Sequence, residues 1–305
     1  MTADADLPAG STAGVAVLGP EPGAVSVTVE VPSGARGVWE ALTAPRVVAR
    51  WLGQLSAPLV ADTMVRLDFE DGDFFDLQVR RATPWRILEW RWRFLGVGPL
   101  DTVRWRIEEV GPNSARVTVN DTHPDRSVTE ATELGAGWVD FLDRLAAHLH
   151  TGARTRYLWR AELDGSVELP AGAVRLFEPA MLARWLPLGG HTLEPGVCFH
   201  ADLEVGALEV RTVEWVGPTG AQFVVGPADG GVGTGCRLSL LQRGTASVLE
   251  FSHTGWSTLA STDEARRRLR ARLAGVWVKT LERACRVCIQ FDPWGDAQPG
   301  SVTAR

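Results

Sequence analysis

Lysine is almost missing from this chain: of 31 basic residues only Lys279 is one. The bias points to a GC-rich, bacterial genome more than to a function. Arginine does not restore a basic character, because the net charge is −6, and that balance gives no support for binding nucleic acid or anionic lipid. No apolar run reaches the ~20 residues needed to cross a bilayer, so no membrane insertion is expected. The opening MTADADLPAGSTAG lacks a basic stretch followed by an apolar block, and so does not read as a secretory signal. Cysteine is sparse as well. Cys198, Cys236, Cys285 and Cys288 all fall in the second half and form no disulfide framework, which makes a cytoplasmic setting the expectation. The chain has no G-x-x-x-x-G-K-[ST], no G-x-G-x-x-G and no G-x-S-x-G. No nucleotide cofactor and no hydrolase serine is therefore expected, and we assign no cofactor.

The chain does contain a repeat. Ala49-Arg50-Trp51-Leu52 recurs as Ala183-Arg184-Trp185-Leu186, and GWVDFLDRLA from Gly137 returns as VWVKTLERAC from Val276. The displacement is about 135 residues in both cases, the spacing of one domain-sized unit occurring twice. With 45% apolar and 22% charged residues, 305 residues suffice for two globular cores. We expect a leader over 1–23, a first domain over 24–152, a second over 153–290 and a tail from 291, with the linker near 151–156.

Periodicity supplies the elements. Val25, Val27, Val29 and Val31 alternate onto one face of a strand, and Pro45 opens the second of two short helices over 35–42 and 45–52. Val65, Leu67 and Phe69 share a face, and the turn Asp71-Gly72-Asp73 leads to Phe75, Leu77 and Val79. In RILEWRWRF the residues Leu88, Trp90, Trp92 and Phe94 share one face; Val103, Trp105 and Ile107 do so on the next strand. Leu134, Trp138, Leu142, Leu145 and Leu149 recur at helical spacing. The second unit repeats this order: strands near 157–163, 166–169, 197–205, 207–216, 221–226, 235–242 and 246–253, short helices near 171–177 and 179–186, and a last helix over 262–288. Strands between an early helical pair and a late long helix define an α+β fold, an antiparallel sheet curled around that helix.

Ala41-Leu42-Thr43-Ala44-Pro45, Arg50-Trp51-Leu52, Pro84, Trp90 and Gly137-Trp138 are similar to the START-like (SRPBCC) superfamily, in the branch named after the heat-shock-protein-90 ATPase activator. Ala183-Arg184-Trp185-Leu186, Pro218, His253-Thr254-Gly255 and Trp277 carry the same likeness more weakly. The resemblance implies two helix-grip domains, each a curved antiparallel sheet wrapped around a long C-terminal helix, with an apolar cavity for a small hydrophobic ligand. Trp138 and Trp277 take equivalent places on the closing helices and are expected to be buried. The motifs mark a fold rather than an activity.

Thirteen tryptophans are the most conspicuous chemistry. Trp90, Trp92 and Trp105 read either as core packing or as the wall of a ligand pocket. With the resemblance the second reading is preferred, and Leu67, Phe94 and Trp138 join them as ligand-contacting candidates. The second unit offers only Trp215 on the comparable strand, which places the principal cavity in the first. Acid–base candidates must point inward. Asp121 shares parity with Val117 and Val119, His123 continues it, and His253 shares parity with Leu249 and Phe251. Each reads equally as a residue at a strand end. Cys285-Arg286-Val287-Cys288 is a C-x-x-C that needs two more ligands, from Cys198, Cys236 or His200, to hold zinc; nothing in the spacing requires it, so no metal is assigned. Three functions fit: a cofactor-independent cyclase or aromatase of bacterial specialised metabolism, a non-catalytic carrier or sensor of hydrophobic ligands, and a chaperone-ATPase-activating interaction protein. Oligomeric state and ligand identity are not legible here.

Overall fold

The computed structural model describes residues 17–18, 23–169, 173–186, 193–196, 199–201, 208–227, 231–243 and 246–290. The chain divides into two compact units, Met1–Ala161 and Glu162–Arg305.

The first unit runs β1 (Val17–Leu18), β2 (Ala24–Val31), α1 (Ala35–Thr43), α2 (Pro45–Trp51), β3 (Gln54–Leu55), β4 (Met64–Asp68), β5 (Phe74–Thr83), β6 (Ile87–Phe94), β7 (Asp101–Gly111), β8 (Ser114–Thr122) and α3 (Val128–Thr151). Its eight strands form one antiparallel sheet in the order β1-β2-β8-β7-β6-β5-β4-β3. The alternating valines of β2 are all buried, as are Val103, Trp105 and Ile107 of β7 and Val117 and Val119 of β8. These side chains make the face on which α3 lies, presenting Ala131, Trp138, Leu142 and Leu145 to them. Ser127 and Glu130 close a reciprocal capping box at the start of α3, and Gly152, in the left-handed region at φ 69°, ends it.

Part of the expected leader is structured, since Val17 and Leu18 pair with Ser26 and Val25 at the sheet edge. The expected linker is also no free tether. Thr155 N–H donates to the Arg50 carbonyl at 2.8 Å, Arg156 is buried against Glu70, and Arg160 bonds Asp71 through its backbone N–H and Asp73 through its side chain, both at 2.7 Å. The hairpin turn at Asp71 and Asp73 carries two carboxylates that the sequence presents as ordinary turn residues; this strap buries both. Arg160→Ala removes a cation from a buried carboxylate and will destabilise the first unit by about 2 kcal/mol or more, measured by urea unfolding.

The second unit runs β9 (Asp164–Leu169), α4 (Pro179–Trp185), β10 (Phe199–Ala201), β11 (Leu208–Gly217), β12 (Gly220–Pro227), β13 (Thr234–Arg243), β14 (Ala246–Thr254) and α5 (Asp263–Gln290). Its sheet is antiparallel in the order β10-β11-β12-β13-β14-β9, so β9 pairs with β14 as β2 pairs with β8. Residues 157–163, expected to be a strand, are not one; they belong to the strap and the coil leading into β9. Where a first short helix is expected, the described residues hold a single 3-10 turn over Ala173–Arg175.

The repeated Ala-Arg-Trp-Leu has one physical meaning in both units. Trp51 Nε1 donates to the Ala41 carbonyl at 2.8 Å, and Trp185 Nε1 donates to the Leu176 carbonyl at 3.0 Å. In each case a fully buried indole ties the second short helix to the segment before it.

Candidate functional site

The inward faces of β5, β6 and β7 build the site. Register sets Leu77 against Trp92 and Trp90 against Val103, with Leu88 opposite Trp105. The alternation therefore puts Trp90, Trp92 and Trp105 on one surface under α3. Their rings touch: the centroids of Trp90 and Trp92 are 6.1 Å apart, and those of Trp90 and Trp105 are 5.9 Å apart. Trp138 of α3 completes the cluster, stacked on Trp92 at 5.4 Å and edge-on to Trp105 at the same distance.

The aromatic chain continues beyond the tryptophans, through Phe94, which the sequence singled out, and three further phenylalanines. Phe75 stacks on Trp92 at 4.0 Å, and Phe94, Phe69 and Phe141 follow at ring distances of 5.1 to 6.4 Å. The tryptophans are buried while these four phenylalanines are half-buried, so the rings run from the core to an apolar rim at the surface. Leu67 lies in the core beneath, and the Arg160 guanidinium covers Phe94 at 5.6 Å. Phe75 could have been found by its shared parity with Leu77. Phe69 carries the same sign, its parity with Val65 and Leu67, whereas Phe141 stands beside the α3 stripe rather than in it.

A polar cluster flanks the rings. Asp121 is fully buried; one of its oxygens accepts from Arg126 at 2.8 Å and the other from Trp138 Nε1 at 3.0 Å. Arg126 also pairs with Asp101 at 2.9 Å, so two carboxylates share one guanidinium. Burial pushes both carboxyls up against the pull of Arg126, with Asp101 reaching about 7, and the Asp121 charge adds to the rise at Asp101. Asp101 keeps the inward parity of Val103 and Trp105, a sign present in the sequence; Arg126 lies in a turn and gave none. His123 stands one residue beyond β8, half-buried, where its Nδ1 accepts from the Asp125 N–H at 3.2 Å. It is a turn residue beside the cluster.

The second unit repeats this device with a different polar group. Trp277 of α5 stacks on Phe251 at 4.8 Å and points Nε1 at His253 Nδ1, 3.4 Å away. His253 Nε2 lies 2.8 Å from Thr234 Oγ1, which donates to the Val225 carbonyl at 3.1 Å. These contacts put the proton on Nε2 and keep the ring neutral. Burial agrees, lowering its pKa to about 4. Asp121 and His253 are thus equivalent acceptors for the tryptophan of each closing helix, and both are occupied by structural bonds.

Trp215 does not line a wall. The register of β11 shifts between Val213 and Trp215, which turns the ring outward to 48% exposure while Val213 stays buried. It lies across the hairpin over Gly217 and Gly220, where a Cβ would meet its ring at 2.4 and 3.0 Å. Cys198 and the His200 side chain lie outside the described residues. Burial raises the thiol pKa of Cys236, and it raises that of Cys288 to about 11. Among the described residues no group of three or more His, Cys, Asp or Glu could hold a metal ion, and no helix is long and apolar enough to cross a membrane.

A curved antiparallel sheet gripping a long C-terminal helix is the helix-grip fold of START-like proteins. Residues 34–150 match the Activator of Hsp90 ATPase homolog 1-like protein family, and the chain belongs to that family. DynU16, a protein of the dynemicin biosynthetic locus, is 38% identical with a TM-score of 0.78 over 87% of this chain and 99% of its own. CalU16 from Micromonospora echinospora is 22% identical over 42% of this chain and 77% of its own, with a TM-score of 0.37. The Aha1 dimer of Colwellia psychrerythraea is 18% identical over 42% and 97%, with a TM-score of 0.38. No curated protein matches the chain.

Proposed function

We propose that the first unit binds a small planar hydrophobic molecule along the aromatic face beneath α3, in a role within bacterial specialised metabolism. One observation carries the reading: an unbroken chain of rings leads from the half-buried phenylalanine rim through Trp92 and Trp138 to Trp90 and Trp105. Flat ligands gain both area burial and offset stacking on such a surface. The place of DynU16 in the dynemicin locus supports the metabolic setting. Binding is the function favoured over catalysis, because Asp121 and His253 are committed to structural bonds. A cyclase- or aromatase-type proton transfer would fall to Asp101, whose side chain is still 24% exposed and whose pKa of about 7 suits a proton donor.

The probe is fluorene, a planar hydrocarbon, with binding followed by tryptophan fluorescence. Saturable binding of one molecule per chain is expected, weakened by Trp92→Ala at least about fivefold, or about 1 kcal/mol, and unchanged by His253→Ala. Failure to saturate, or a loss that follows His253 instead, removes the first unit as the binding site.

A further inference from the structure

Trp90, Trp92 and Trp105 each carry a buried indole N–H with no hydrogen-bond acceptor among the described residues. Other buried tryptophans of the two units are different: Trp51, Trp138, Trp185 and Trp277 all donate to defined acceptors. A buried donor left unpaired forfeits the hydrogen bond it would make with water, and here three occur in one patch of touching rings. The adjacent carboxylates do not relieve them, since Asp121 is engaged by Arg126 and Trp138 and Asp101 by Arg126.

We propose that these three N–H groups are the hydrogen-bond donors of the ligand site, and that it selects planar aromatics bearing an oxygen acceptor, such as a ring ketone, over hydrocarbons of the same shape. This rests on the reading that a planar molecule occupies the aromatic face. An indole N–H donates and cannot accept, so it recognises a carbonyl and is indifferent to a hydroxyl proton. Carbonyl lone pairs lie near the ring plane, where a molecule stacked on one indole meets the N–H edge of the next. Ordinary desolvation acts in the opposite direction: a ketone is held by water more strongly than the hydrocarbon, so a purely apolar wall prefers the hydrocarbon.

The test compares 9-fluorenone with fluorene on the full chain labelled with ¹⁵N in the indoles, with resonances assigned from Trp90→Phe, Trp92→Phe and Trp105→Phe. We expect fluorenone to bind about tenfold more tightly, roughly 1.4 kcal/mol, and to move at least one of the three N–H resonances downfield. Phenylalanine at the responding position lowers fluorenone affinity more than fluorene affinity, and so erases the preference. The resonance shift is read on the unaltered protein, so it stands even where a variant fails to fold. Fluorene binding equally or better, with all three resonances unmoved, overturns the proposal alone. It would mean the N–H groups rest on ring faces, as the edge-on contact of Trp105 with Trp138 allows. If neither molecule binds, the planar-ligand reading falls and takes this inference with it.

Discussion

Trp138→Ala will destabilise the first unit by roughly 3–5 kcal/mol, the range for truncating a large aromatic in a packed core. Trp138 is 2% exposed and touches Trp92, Trp105 and Phe141, so alanine opens a cavity at the centre of the aromatic cluster. It also takes one donor from the buried Asp121 carboxyl. Trp138→Phe separates the two effects: most ring packing stays, the donor goes, and a smaller loss of about 1–3 kcal/mol is expected. The equivalent Trp277→Ala will act on the second unit in the same way, because it removes the stack on Phe251 and the bond to His253. Urea unfolding followed by circular dichroism measures both. A loss below about 1 kcal/mol, ordinary for a surface position, would mean the helix does not grip the sheet here.

That both tryptophans are buried was legible without coordinates, and so was most of the architecture. Alternation placed β2, β5, β6, β7 and β8, and helical spacing placed α3, because burial on one face leaves a period in the chain. What failed was not periodic. The strap through Arg156 and Arg160 is polar and irregular, with its partners at Glu70, Asp71 and Asp73, more than 80 positions away. Trp215 misled for the opposite reason. Its alternation with Val213 looks regular, yet a bulge between them reverses the face, and bulges have no reliable residue signature.

The site divides along the same line. Trp90, Trp92, Trp105 and Trp138 do come together, because strand parity and helix spacing both encode direction. Parity also carried Asp121 inward, and would have carried Asp101. It could not show that Arg126 would reach back from a turn to hold both. Nor could it foresee that His253 would be locked between Trp277 and Thr234. Chemical role depends on partners, and partners come from tertiary structure.

Between pH 4 and pH 7 the two units will respond to acid in opposite directions. In the first unit Asp101 is raised from 3.8 to about 7 and Asp121 is raised beside it, with Arg126 opposing the shift and Glu130 and His123 the other charged groups that act on the pair. The folded unit therefore binds more protons than the unfolded chain across this window. The resulting stability is complete below the unfolded value of 3.8 and is lost as pH rises through about 7. His253 works the other way: its pKa falls from 6.5 to about 4, so the unfolded chain binds the extra proton. Its contribution is complete above 6.5 and disappears as pH falls toward 4. Each effect is on the order of a few kcal/mol. Amide hydrogen exchange, corrected for its intrinsic pH dependence, reads α3 and α5 separately; α3 should gain protection on acidification while α5 loses it. Asp101→Asn should flatten the first trend and His253→Gln the second. Arg126→Met is the severe case, because it strands two buried carboxyls without their shared cation. A loss of roughly 3–5 kcal/mol is expected, larger at pH 8 than at pH 5, where protonation relieves the pair. If α3 instead gains protection as pH rises, the pull of Arg126 outweighs burial and the two carboxyls are charged in the folded unit.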